Sequence, residues 1–535
     1  MVTGAHQEAR FALNIYLLKG DPCLAKEHVD MGGMTQSVEI KVGDEQTAVL
    51  HYGQMSGSPD WLARLFALAK EAPDALKSAS ISAILLVEAN GRLFALTFGH
   101  AWQKVKISAV EPNFGIRCVL NLAEERSLRA IRRDRIAEES LQAIEQIPDS
   151  DGISRFGMNI EKDLLRGVKA KIDSDLGFGA WVAGADAFKT SIDLSTEYLT
   201  AFLSRCLKLH AMDEYKKRFS WVDNIAPLRN SSIEPILAQE LSHLVTQKDV
   251  GITLSVPDLL SWDDHDYFSF ERKRKGQAPC ANHLELSQWV EYASAASADG
   301  HTITVDDLNN RKIYAFRQGG LENDSWPVFQ CLHGIVKYKN EVYLAHSGKW
   351  FILNRDFVDA TNKRVTEIPH ATLVLPSSTI SEHEGAFNER AAMASGGHIM
   401  LLDKKLIPHG GGSSKFEVCD LLTQNGELIC VKPWGGGSGS LSHLFYQAKN
   451  AIALLNNDAS FRDKVRLYID KADPTFTVIW DYICANAEQA EVVLAILRGC
   501  SKESLPFFAK LALCDCVSDL RSMRFKCTYA VIIAV

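Results

Sequence analysis

Apolar residues recur along this chain with two periods, two and about three and a half, and the first prevails at its start. Alternating positions with turn residues between them predict strands over FALNIYLLK (11–19), SVEIKVG (37–43) and TAVLHYG (47–53). DWLARLFALAKEAP (60–73) has helical spacing and stops at a proline. SAILLVEANGRLFALTFG (82–99) predicts a hairpin around Ala89-Asn90-Gly91. From about 119 to 147 the pattern reads as a charged helix, and helices are also predicted over 195–218 and 232–247. Residues 310–357 carry strand signals with turns at Lys339-Asn340 and Ser347-Gly348, the pattern of an antiparallel meander.

Beyond Pro376-Ser377-Ser378 the rhythm changes. A helix is expected over 385–395, a strand with a charged turn over 398–407, and an amphipathic helix over 441–455. A strand over 476–484, helices near 487–498 and 506–522, and a closing strand over 529–535 complete the chain. The expected class is therefore α+β multidomain, divided into a mixed α+β region (1–235), a helical then antiparallel β region (236–380) and an α/β region with a mixed sheet (381–535).

Length supports that division, since 535 residues exceed one ordinary core. A hydrophobic share of 46% and a charged share of 23% are ordinary for a globular protein. The net charge of −8 excludes a global basic field, so any nucleic-acid contact must use local patches. The twelve cysteines contain no CxxC pair, which removes a zinc ribbon from consideration. A polar start and the lack of a long apolar run point to a cytoplasmic protein with free thiols and no membrane partner. Self-association into a homo-oligomer stays open.

Two basic groups bear on partners. Arg126, Arg129, Arg132, Arg133 and Arg135 lie among Glu124, Glu125, Asp134, Glu138 and Glu139, as on a solvated helix face or one touching phosphates. Lys162, Arg166, Lys169 and Lys171 follow. The densest run is Arg272, Lys273, Arg274 and Lys275, a solvated turn or a loop on a phosphate backbone.

The stretch FEVCDLLTQNGELICVKPW (416–434) places Asp420 and Lys432 on neighbouring strands joined at Asn425-Gly426, with glycine runs on both sides. LNIYLLK (13–19), FGIRCVLNL (114–122), DLLRGV (163–168), YKKRFSWVDNI (215–225), SGKWFILNRDFV (347–358), FEVCDLL, ICVK and SLSHLFYQA (440–448) together resemble a sporadically distributed bacterial family of unknown function. The resemblance covers nearly the whole chain and implies one complete unit. A patchy distribution is similar to that of anti-phage defence genes.

From 381 on, the order of a helix with acids, a strand with an acid, a strand with a lysine and a helix with a polar stripe resembles the PD-(D/E)xK nuclease fold. That resemblance implies a Mg²⁺ or Mn²⁺ ion on carboxylates and a lysine that neutralises charge on the phosphate. Asp420 matches the strand acid, Lys432 the lysine, and Glu384 or Glu389 the helix acid. The motif wants an acid two residues before the lysine, where this chain has Cys430, a poor magnesium ligand. Glu417 would substitute only if the chain leaves strand phase between 417 and 420. His443 and Gln447 share a helix face, with Gln447 lining the site and His443 near nucleic acid. Two other readings remain open. The glycine-rich hairpin and lysine over 410–432 resemble a nucleotide-binding kinase loop. Alternatively Asp420 and Lys432 form a structural pair in a non-catalytic binding or sensor protein.

Overall fold

The computed structural model describes residues 10–20, 25–43, 46–57, 77–136, 141–149, 152–193, 197–249, 251–257, 267–272, 284–295, 302–317, 321–408, 415–434 and 438–535. The helix expected over 60–73 lies outside them. The chain divides into two compact units, one of residues 1–134 and 142–222, the other of residues 135–141 and 223–535.

The first unit is built on a ten-stranded sheet. Its strands run in the order Gln36–Val42, Gln46–Gly57, Ser78–Ala89, Arg92–Gly99, Arg10–Leu17, Ala187–Asp193, Trp181–Gly184, Asp163–Lys171, Leu128–Arg135 and Leu141–Gln146. Asn90 and Gly91 both hold positive φ in the expected hairpin, the backbone twist a tight two-residue turn needs. The helices Phe114–Leu122 and Leu199–Ala211 pack with the sheet around Phe94, Phe114, Phe188 and Phe202.

The helix expected over 119–147 is absent there. After Ala123 the chain forms the strands Leu128–Arg135 and Leu141–Gln146. In LRAIRRDR the arginines do not form a wet face. Arg133 is buried and pairs with Glu145 and with fully enclosed Asp163, both at 2.7 Å. Charge pairing across strands supplies what apolar alternation would otherwise supply.

In the second unit, Ile225–Pro227, Lys349–Leu353, Glu341–His346, Leu332–Tyr338 and Ile252–Leu254 make the antiparallel meander. Lys339 and Asn340 (φ 48° and 64°) and Ser347 and Gly348 (φ 50° and 70°) form its two turns, as expected. Trp289, Trp326 and Trp350 fill the core beneath it.

Another five-stranded sheet follows, ordered Ile399–Leu401, Leu421–Thr423, Glu427–Pro433, Glu491–Leu497 and Lys526–Ile532. The first two contacts are antiparallel and the last two parallel. Side-chain parity divides the central strand. Ile429 and Val431 pack with Phe387 and Ala391 of the helix Glu384–Ala394. Leu428 and Cys430 pack with Leu441, Leu444 and Phe445 of the helix Ser438–Asn457. Residues 370 and 378 bridge the last strand's end, through His370 with Tyr529 and Ser378 with Ala534.

Two expectations are reversed in this region. The strand expected over 476–484 is the helix Thr475–Ala485, whose buried Phe476, Trp480 and Ile483 recur at three to four residues. Asp473 starts it by accepting from the Thr475 amide at 3.0 Å. The helix expected near 487–498 is instead the strand Glu491–Leu497. EVVLAIL is apolar on both faces because helices cover both sides of a parallel pair.

Candidate metal centre

The centre forms where three local features meet near the end of the Glu427–Pro433 strand. Residues 417–419 belong to no strand, so the ladder breaks just before Asp420. The Val431 N–H would lose its backbone partner there, and the Asp420 carboxylate takes it, with Oδ2 accepting at 2.7 Å. The Asp420 N–H donates to the Ile429 carbonyl at 2.9 Å. The next feature is a turn at 402–405 with Lys404 at φ 60°. It is tied down by the Leu402 N–H, which donates to the Asp420 carbonyl at 2.8 Å. Asp403 thereby lies against Asp420.

The third feature is the N-terminus of the helix Glu384–Ala394. A side chain at position 385 would put its Cβ 2.7 Å from Lys404 Nζ and 3.2 Å from Asp403 Oδ2, so Gly385 lets the turn reach the helix. The outcome is that Glu384, Asp403 and Asp420 each offer a carboxylate oxygen within 4.8 Å of the others. Asp403 and Asp420 are buried and Glu384 is half-buried. Lys432 Nζ lies 3.1 Å from Glu384 Oε2.

Glu417 comes to the same place because the chain has left strand phase. It accepts from Gln447 Nε2 at 2.9 Å and from the Lys404 N–H. Four carboxylates thus gather here, with the half-buried Lys432 ammonium on Glu384 and exposed Lys404 beside Asp403. Burial, opposed by the Val431 hydrogen bond, and then repulsion from Glu384, Glu417 and Asp403 push the Asp420 carboxyl up to about 7. Burial, then the charge of Asp403, also raises the Glu417 carboxyl. One turn beyond Glu384, Asn388 is fully buried, and neither its Oδ1 nor its Nδ2 has a partner.

Of the residues singled out in the sequence, Asp420, Lys432, Glu384, Glu417 and Gln447 are brought together. Asp403 was missed, since it lies in a turn with no motif around it. Glu389 is exposed, on the wet side of its helix, and His443 is exposed as well. Cys430 faces the apolar core with Leu428, and burial drives its thiol well up.

The basic groups fare differently. Arg272 is exposed, and Lys273, Arg274 and Lys275 lie outside the described residues. Arg166 pairs with buried Asp134 at 3.2 Å, and Lys169 lies over the Trp181 ring. With Arg133 also paired, these cations are largely used inside the first unit. Among the described residues no helix is long and apolar enough to cross a membrane.

Fold and centre define an α+β protein in which a five-stranded mixed sheet carries a cluster of acids beside the half-buried Lys432. The chain belongs to DUF6119, a family of unknown function, whose profile matches residues 13–533. No curated protein and no solved structure matches it.

Proposed function

We propose that the protein is a metal-dependent phosphodiesterase acting on nucleic acid, with Glu384, Asp403 and Asp420 as ligands for Mg²⁺ or Mn²⁺ and Lys432 as the charge stabiliser. The observation that carries this reading is the convergence of those three carboxylates within 4.8 Å beside the Lys432 ammonium. Oxygens bound at about 2.1 Å to one Mg²⁺ ion lie at most about 4.2 Å apart, so small side-chain adjustments suffice. All three donors are hard carboxylate oxygens, and the nearby thiol of Cys430 points to the other face of the sheet.

When bound, a divalent cation there activates water and offsets charge on the phosphate oxygens. The chain's own groups do the rest. Asp403 replaces the acid missing at position 430, arriving from a neighbouring turn. Lys432, held by Glu384 at 3.1 Å, presents its charge to the phosphate as negative charge develops. Glu417, oriented by Gln447 and with its carboxyl raised by burial, is the group that accepts a proton.

The test is cleavage of plasmid, single-stranded DNA and RNA with and without Mg²⁺ or Mn²⁺. Cation-dependent cleavage is expected for the native protein, with a loss of about 100-fold or more in Lys432→Ala and Asp403→Asn. Equal rates for native and substituted proteins would overturn the assignment.

A further inference from the structure

Elsewhere in the second unit, the meander hairpin and two helices enclose a cavity of about 310 Å³. Lys337 and Asn340 line it from the hairpin, Arg355 and Asn362 from the helix Arg355–Thr366, and Lys510 from the helix Phe507–Ser522. Phe507 forms an apolar wall and stacks edge-on against Phe357. Lys510 is half-buried, and its Nζ donates to Asn362 Oδ1 at 2.7 Å. Among the described residues no carboxylate lies within ion-pair distance of Lys510 or Lys337. Arg355 reaches only Asp359, at 4.0 Å.

Burial, and then the charge of Lys337, lower the Lys510 ammonium, and Lys337 outweighs the opposing pull of Glu503. Glu341 and Asp359 also border the cavity; Asp359 and its partner Arg355 are both largely in solvent. Half-buried Lys510, with exposed Lys337 and Arg355 at the rim, makes a cationic space that an anion would stabilise. A phosphate suits these donors, offering oxygens to two point charges, to a guanidinium fork and to the Asn340 and Asn362 side chains. The cavity is at the small end of ligand pockets, large enough for one nucleotide.

We propose that this cavity is a phosphate-binding site that takes the phosphate group of a nucleotide, either free or within a strand. The proposal stands on the cavity's own cations and does not depend on the acid centre. The test is calorimetry on the full chain at low ionic strength with inorganic phosphate, a mononucleotide and a short single-stranded oligonucleotide. Native protein, Lys510→Gln, Lys337→Gln and, as a charge control in the other unit, Lys217→Gln are compared.

Saturable phosphate binding is expected, weakened about tenfold or more by Lys510→Gln and by Lys337→Gln and unchanged by Lys217→Gln. Tighter binding of the mononucleotide would identify the source as a free nucleotide, and tighter binding of the oligonucleotide as a strand. A thermal melt checks that the substituted proteins fold. A second readout is the reactivity of Lys510 towards an amine label, which bound phosphate should lower by raising the ammonium. Absence of phosphate binding, or binding equal in native, Lys510→Gln and Lys337→Gln proteins, overturns the proposal.

Discussion

The two units each bury a cluster of charged side chains, and the clusters are balanced differently. In the first unit Arg133 takes Glu145 and Asp163, and Arg166 takes Asp134, so each buried acid meets a guanidinium within 3.2 Å. In the second, Glu384, Asp403, Glu417 and Asp420 share the half-buried Lys432, with exposed Lys404 beyond. Balanced charge inside a sheet is structural, because each ion's desolvation is offset by a close partner. Unbalanced charge raises the protonation of its own members, as at Asp420, and such sites are where function concentrates. Counting charges of both signs separates the two clusters where counting arginines or acids alone does not.

The contrast is sharpest when one charge is deleted from each cluster. Arg133→Ala leaves two acids without their cation and should cost about 3–5 kcal/mol in a denaturant titration. Asp420→Asn should act in the opposite direction. The folded protein holds the Asp420 proton more tightly than the unfolded chain, so in cation-free buffer stability falls as pH rises between 3.8 and about 7 and stays low above that range. The asparagine still accepts from the Val431 N–H and removes the penalty. A gain of roughly 2–4 kcal/mol at pH 8, vanishing near pH 4, is the expected result in parallel urea titrations. A loss at pH 8 would make the two clusters alike.

Gly385→Ala tests how closely the turn must approach the helix. Alanine favours the helix by up to about 1 kcal/mol, while its Cβ pushes on Asp403 Oδ2. Stability should therefore change little while cation affinity drops several-fold, a split that differential scanning calorimetry and metal titration would resolve. Gln447→Ala removes one hydrogen bond to Glu417, worth about 1 kcal/mol. Cleavage should slow about fivefold with stability nearly unchanged. A rate equal to native would remove Gln447 from the centre.

Much of the backbone was legible because turns announce themselves. Asn90-Gly91, Lys339-Asn340, Ser347-Gly348 and Gly426 each place a Gly or Asn at a positive φ, the conformation those two residues tolerate best. What failed were segments whose period is set by partners elsewhere in the fold. EVVLAIL is buried on both faces and shows no alternation. LRAIRRDR buries arginines that mimic a solvated helix until Asp163 and Glu145 are placed beside them. TFTVIWDYICA is rich in β-branched and aromatic residues yet is helical, since only Phe476, Thr477, Trp480 and Ile483 are covered.

The centre was half legible. Asp420, Lys432 and Gln447 follow from motif order, Glu384 as one of two helix acids and Glu417 only through a break in strand phase, whereas Asp403 enters through a turn that no spacing rule connects to Lys432. Cys430, where the nuclease pattern has an acid, packs in the apolar core, and Asp403 joins the acids from a neighbouring turn. Asp403 follows the Ile399–Leu401 strand by two residues, and that strand pairs directly with Leu421–Thr423.

The central claim is that the acid excess at the end of the mixed five-stranded sheet exists to hold a divalent cation. Calorimetric titration of Mn²⁺ into native protein at pH 8, beside an Asp403→Asn, Asp420→Asn double substitution, tests it most directly. The account predicts one saturable site in the native protein, weaker at pH 6 where the Asp420 proton must be displaced, and loss of that site in the substituted protein. Absence of a saturable site, or identical titrations for the two proteins, would contradict it.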